Sequence, residues 1–259
     1  MGKNIEKNIG KNIKKYTATP VPKGKELNWN LIRSIPIKEN NEPLVPLNLY
    51  PERIICHPEY FIQQIPYAMP ILYIREGVYQ KLIKAAKNLP KGYKFAVYDA
   101  YRPVEVQKSL FDSYKAKLAK QNPSMDDEKL TELTLNFVSL PSTDPQKPSA
   151  HNTGGSIDLT IADDEGNLLD MGSYFDDMGD IVITDYFENK LKCGEKLTEK
   201  EKRIIENRRL LYNIMIEQGF TNFVNEWWHY DYGNQLWAYN GDHEFAIYSS
   251  TKPFFFWKE

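Results

Sequence analysis

Apolar side chains recur at helical spacing in EGVYQKLIKAAKNL, residues 76–89, where Val78, Leu82, Ile83, Ala86 and Leu89 share one face. Pro90 follows and predicts the stop. KFAVYDAYRP, 94–103, alternates bulk about a β-branched centre and predicts a strand. Its proline can open the next helix, VEVQKSLFDSYKAKLAK, which puts Arg102 at a strand-to-helix junction. Another helix is predicted over roughly 127–138, then a loop rich in Pro, Ser and Thr, SLPSTDPQKPS, and then a strand, GSIDLTIAD. Residues 166–197 have no steady period and read as loop with short elements. Thr198 with Glu201 three positions on forms a capping box. The helix it opens carries Ile204, Ile205, Leu211, Ile214 and Met215 on its apolar stripe and stops at Gly219. FTNFVNEWWHYDY reads as a strand, and residues 29–70, rich in Pro, Asn and Tyr around the apolar bursts RIICH and YFIQQI, read as strands and extended loops. Helices and strands mix without a regular βαβ alternation, which favours an α+β fold over a doubly wound sheet.

Composition narrows the function classes. With 259 residues, 41% hydrophobic and 26% charged, the chain can bury a sizeable core. Lys plus Arg number 33 against 35 Asp plus Glu, so net charge gives no pull toward nucleic acid or anionic lipid. Two cysteines, Cys56 and Cys193, are too few for a disulfide framework and are expected as buried thiols in a reducing compartment. No apolar run reaches the length of a membrane span. The first 25 residues repeat KNI three times with almost nothing else apolar. They are expected as a flexible Lys/Asn-rich tail, with residues 26–259 as the folded domain. An amphipathic segment that makes the protein a membrane-associated adaptor is the competing reading of that tail. Lacking the apolar core of a secretory signal, the tail points to a cytoplasmic protein.

Two stretches then stand out: SAHNTGGSIDLT, 149–160, and NEWWHYD, 225–231. Each sets a histidine close to a carboxylate. A catalytic zinc site takes three nitrogen or oxygen ligands and leaves one position for water. His151 and Asp158 flank Gly154 and Gly155, so the chain can turn and return the aspartate on a strand beside the histidine. His229 can supply the third ligand, and Glu226 can be the unligated carboxylate that takes a proton from activated water. Residues three apart on a regular strand face opposite ways, so Glu226 and His229 can share a site only at a bulge, strand end or turn. Each residue also has a plainer explanation. A lone histidine is more often a surface or core residue, Trp227 and Trp228 can be core aromatics, and Arg102 can simply pair with Asp99. Spacing alone does not prefer His229 over His57 or His243.

Together these segments resemble a known family. SAHNTGGSIDLT is similar to the SxHxxGxAxD signature, and EWWH to the ExWH signature, of the zinc D-alanyl-D-alanine dipeptidases of the VanX type. VYDAYRP resembles that family's DxYRP segment and LDMGSYFDDM its MGxxFD loop, in the same order, over roughly residues 71–232. The resemblance implies one zinc ion per chain held by His151, Asp158 and His229, with Glu226 as general acid/base and Arg102 stabilising the oxyanion. It further implies that Asp176 binds the substrate ammonium and that Ser149 contacts substrate or orients a ligand. The implied fold is a single α+β domain whose central, mainly antiparallel sheet carries the zinc site and is flanked by helices. The implied substrate is a small D-amino-acid dipeptide, most simply D-Ala-D-Ala. A related D,D- or L,D-peptidase acting on peptidoglycan peptides and a non-catalytic zinc peptide-binding domain are the alternatives. Two departures stand: Ser156 replaces the usual alanine, and the stretch before residue 71 has no clear copy of the family's N-terminal substrate loop.

Overall fold

A computed structural model describes residues 13–135 and 138–254. In chain order the helices are α1 (13–18), α2 (Trp29–Ser34), α3 (Glu59–Ile62), α4 (Glu76–Lys87), α5 (Val104–Gln121), α6 (Asp127–Leu135), α7 (Tyr186–Lys192), α8 (Glu199–Glu217) and α9 (Gln235–Asn240). The strands are β1 (Leu44–Pro46), β2 (Ile54–Cys56), β3 (Tyr73–Arg75), β4 (Lys94–Asp99), β5 (Ser156–Ala162), β6 (Thr221–Asn222) and β7 (His229–Asp231). Five strands form one sheet in the order β2-β4-β5-β7-β6, antiparallel except for the β2–β4 pair, while β1 and β3 form a separate ribbon. This is the α+β arrangement expected, with a mainly antiparallel sheet and flanking helices.

The sheet works by its period of two. All seven residues of β5 are buried, yet its two faces differ. Ile157, Leu159 and Ile161 enter the main core with Val78, Leu82 and Ala86 of α4 and Leu211, Ile214 and Met215 of α8. A fully buried side chain of this size contributes about 1.5–3 kcal/mol. Ser156, Asp158 and Thr160 point to the other face, where buried polar groups need partners. Tyr230 on β7 follows the core pattern, while His229 and Asp231 on either side of it share the polar face with Asp158. One surface of the sheet is thus a greasy base and the other a platform for chemistry.

Most predicted elements lie where the pattern placed them. The capping box at Thr198 forms in full, its backbone N–H donating to Glu201 at 2.8 Å and its hydroxyl accepting from the Glu201 N–H at 3.2 Å. Three expectations change. Residues 220–232 are not one strand, because β6 and β7 are separated by successive turns. Asn222 secures them, its amide nitrogen donating to the carbonyls of Glu226 at 3.1 Å and His229 at 2.9 Å. Within residues 29–70 the chain forms the helices α2 and α3 as well as strands, and Asn28 caps α2 by accepting from the Leu31 N–H at 3.1 Å. The cysteines are not both buried. Cys56 is half-buried, its thiol raised to about 11 by burial, while Cys193 is exposed just past α7.

The KNI repeat lies mostly outside the described residues, but 13–25 are described, and residues 15–21 sit against α7 and α8. Tyr16 and Val21 are 4% and 2% exposed. The Tyr16 hydroxyl donates to Glu217, Asn213 donates to the carbonyls of Tyr16 and Thr19, and the Val21 N–H donates to Glu188 at 3.0 Å. Among the described residues no helix is long and apolar enough to cross a membrane.

Candidate metal centre

Local chain geometry delivers the first pair of candidate ligands. His151 lies in a 3-10 turn, Ala150–Thr153, which Gly154 ends in the left-handed region at φ +70°. A Cβ on the next residue, Gly155, would lie 2.4 Å from the Tyr232 carbonyl oxygen. The two glycines let the chain reverse and pack tightly enough to start β5 at Ser156. Sheet register adds the rest: Asp158 is paired with Asp99 on one side and His229 on the other. A bulge in β4 between Val97 and Asp99 makes this alignment, skipping Tyr98 and turning Asp99 onto the polar face.

His151, Asp158 and His229 therefore converge, all buried, with donor atoms within 4.8 Å of one another. His229 Nδ1 lies 2.9 Å from Asp158 Oδ1 and 3.2 Å from His151 Nε2, and His151 Nε2 lies 3.3 Å from Asp158 Oδ2. The remaining ring nitrogens are occupied elsewhere. His151 Nδ1 donates to the Ala100 carbonyl at 2.7 Å, which leaves its Nε2 lone pair for the cluster. Buried polar atoms facing one another with spare lone pairs suit a cation, and two imidazoles with one carboxylate are a borderline-soft donor set. Burial works to raise the Asp158 carboxyl, but His151 and His229 overcome it and hold it well below the usual carboxylate range. Burial likewise opposes charge on His229, and Asp231 and Asp158 outweigh it, raising the imidazole well above its ordinary value. The other histidines take no part: His57 pairs with Glu59 at 3.1 Å and His243 stacks on Trp237 at 3.8 Å between ring centroids.

Glu226 reaches the cluster because of the turn between β6 and β7. The Glu226 N–H donates to the Phe223 carbonyl and the His229 N–H to the Glu226 carbonyl, so the two residues lie on a bend instead of opposite strand faces. Glu226 Oε2 is 3.8 Å from His229 Nδ1, and the side chain remains 33% exposed. Crowding of its carboxyl by protein, then the Asp158 charge, raise its pKa against the pull of the two histidines and Arg102. Trp227 and Trp228 are core aromatics, 3% and 2% exposed, and anchor that bend from below.

Arg102 combines its plain and its functional reading. Its Nε donates to Asp99 at 2.8 Å and its Nη1 to Gln107 at 2.8 Å, while Nη2 lies 3.3 Å from the Tyr60 hydroxyl and 3.7 Å from Asp158. The pair with Asp99 does not divert the guanidinium from the cluster but fixes it there. Burial alone would lower its pKa, and Tyr60, Asp99, Asp158 and Asp176 together hold it above the ordinary value.

Asp176 stands at a loop apex with φ +59°. The residue is exposed, yet its carboxyl turns inward to accept from the Tyr60 hydroxyl at 3.0 Å. Lost hydration, then the Asp158 charge, push that carboxyl up to about 7. The loop is held by Arg208, which donates to the carbonyls of Met171 at 2.8 Å, Ile183 at 2.7 Å and Ile181 at 2.6 Å. Burial lowers this guanidinium to about 9, still protonated at neutral pH. Phe175 adds an aromatic brace, stacked on Tyr98 at 4.8 Å and edge-on to Trp228 at 5.6 Å. Ser149 precedes the His151 turn, and its side chain makes no capping hydrogen bond there. Sequence reading missed Tyr60, which lay in the apolar burst YFIQQI, and gave no role to Asp231, which stood inside NEWWHYD; a carboxylate two residues from a candidate ligand, on the same face of a strand, was the available signal.

A sheet-borne cluster of two histidines and an aspartate, with a glutamate and an arginine beside it, is a candidate metal site of the kind a hydrolase can use. Residues 63–248 match the family described as D-ala-D-ala dipeptidase, and the chain belongs to that peptidase family. It is similar to the D-alanyl-D-alanine dipeptidase of Synechocystis sp., 29% identical over 223 residues that cover 81% of this chain and 90% of that protein. Shorter matches join it to proteins of the same description from Escherichia coli, 30% identical over 54% of this chain and 55% of that one, and from Enterococcus faecium, 29% identical over 58% and 68%.

Proposed function

We propose that the chain hydrolyses a short D,D-dipeptide, D-Ala-D-Ala in the first instance, at a zinc ion held by His151, Asp158 and His229. The convergence of those three donors with Glu226 and Arg102 on one face of the sheet supports this reading most directly. Zinc, when bound there, would supply Lewis-acid polarisation and lower the pKa of water. The chain's own residues do the rest. Glu226, partly open to solvent and raised in pKa, removes the proton of the attacking water and returns it to the leaving amine. Arg102, charged at every relevant pH, offsets negative charge as it develops on the substrate oxygen. Asp176 with Tyr60 meets the substrate ammonium, and Ser149 contacts the substrate near the His151 turn. A module that only bound peptide would need neither Glu226 nor Arg102 at this position, which favours an enzyme.

Arg102→Lys is expected to lower kcat about 100-fold with a smaller change in KM. Lysine keeps the charge but not the fork that spans Asp99, Gln107 and Tyr60. A kcat within a few-fold of wild type would remove Arg102 from the mechanism. The reading as a whole is tested by incubating zinc-loaded protein with D,D-, L,D- and L,L-dipeptides and with muropeptides, measuring released amino acid. Release from free D-Ala-D-Ala is expected. Cleavage of muropeptides alone would replace the dipeptidase reading with that of a wall-peptide carboxypeptidase or endopeptidase.

A further inference from the structure

Behind His229, on the side away from Glu226, lies a buried polar group that the proposed reaction does not use. Asp231 is 0% exposed, two residues along β7 and on the same face. Its Oδ1 sits 3.1 Å from His229 Nε2, 2.6 Å from the Ser156 hydroxyl and 2.6 Å from the Asn234 amide nitrogen. The Asn234 amide cannot be turned round without loss, because its oxygen caps α9 by accepting from the Trp237 N–H at 2.9 Å while its nitrogen also reaches the Ser156 hydroxyl at 2.9 Å. With Asn234 donating to it, the Ser156 hydroxyl directs its own proton to Asp231. Two fixed donors therefore converge on one carboxylate oxygen, which leaves that oxygen only an acceptor's role toward His229. The proton that His229 keeps when a cation binds is thereby assigned to Nε2, and Nδ1, the atom facing Asp158 and His151, is the nitrogen that gives up its proton and offers a lone pair. Ser156 is the residue that departs from the family signature, where alanine is usual, so this chain carries a donor to Asp231 that the signature lacks.

We infer that Asp231, oriented by Ser156 and Asn234, is the positioning residue that selects Nδ1 of His229 as the ligand atom and fixes the orientation of the ring. The inference rests on the metal reading above and deepens it. Removing such a partner from a histidine ligand typically weakens metal binding 10- to 100-fold. Asp231→Asn keeps size and an oxygen facing the same two donors but removes the charge that holds the His229 proton. In competition with a chromophoric chelator, this variant is expected to bind zinc about 10- to 100-fold more weakly than wild type, with the metal-free far-UV spectrum unchanged. In zinc-loaded wild-type protein labelled with 15N-histidine, His229 is expected to show a slowly exchanging downfield proton on Nε2 and a metal-shifted Nδ1. That proton moves upfield or exchanges rapidly in Asp231→Asn. A zinc Kd within twofold of wild type in the folded variant, or a wild-type spectrum with the His229 proton on Nδ1, overturns the inference. If the variant fails to fold, the wild-type spectrum alone decides. Wild-type protein that takes up no zinc would overturn the metal reading itself and this inference with it, whereas zinc uptake by wild type with an indifferent variant sinks only the role of Asp231.

Discussion

Glu226→Ala is expected to leave the metal content of the protein at its wild-type level while lowering kcat about 1000-fold, within the range for loss of a general acid–base. The separation follows from where the residue sits. Glu226 is on the bend between β6 and β7, 3.8 Å from His229 Nδ1 and one-third exposed, whereas the three candidate ligands are all buried on or beside the sheet. Truncating it removes no ligand and leaves no buried group unpaired, so the fold and the cluster should stand. Its carboxyl is raised by crowding and by Asp158, which suits a group that must both take and return a proton. Metal analysis after exhaustive dialysis, alongside steady-state kinetics on D-Ala-D-Ala, checks both halves. A metal-free Glu226→Ala protein would make Glu226 a ligand and dismantle the division of labour.

His229→Ala is expected to lose metal and activity together. Outer partners of a ligand histidine alone are worth about 10–100-fold in affinity, so loss of the ligand itself should exceed about 100-fold. The variant also strips Asp231 of a donor and leaves a cavity beside Phe223, whose ring centroid is 5.6 Å from that of His229. Wild-type protein should melt higher when zinc is added, by about 2.7 kcal/mol of stabilisation at a hundredfold excess of free metal over Kd. In His229→Ala that gain should vanish. A variant that still melted higher with zinc would show the ion resting elsewhere.

Much of this candidate site could be read before any coordinates because the residues proposed as ligands come in short segments whose local geometry is nearly self-sufficient. His151 and Asp158 are joined by one turn and two strand residues, with Gly154 and Gly155 marking the reversal. The amphipathic helices α4 and α8 announced themselves by period and capping. What escaped was set by distant partners. Tyr60 joins Asp176 across 116 positions, and Ser156 joins Asp231 across 75, pairings that no local period encodes. The break between β6 and β7 was required by the Glu226–His229 spacing, yet the composition of FTNFVNEWWHYDY argued for continuous strand. The Asn222 side chain decides the matter by competing for the backbone. The docking of Tyr16 on α8 and Val21 by α7 was equally invisible in a Lys/Asn-rich stretch, because only the surface it meets makes those two side chains worth burying.

Asp99, Asp158 and His229 stand side by side on three neighbouring strands. A slip of one residue between β5 and β7 would rotate Asp158 out of line with His229 and send Ile157 toward the polar side, so on the proposed metal reading correct pairing and ion capture amount to a single event. Titratable metal in a refolded batch would then be a head-count of correctly threaded molecules, one that far-UV spectra dominated by the helices would pass over.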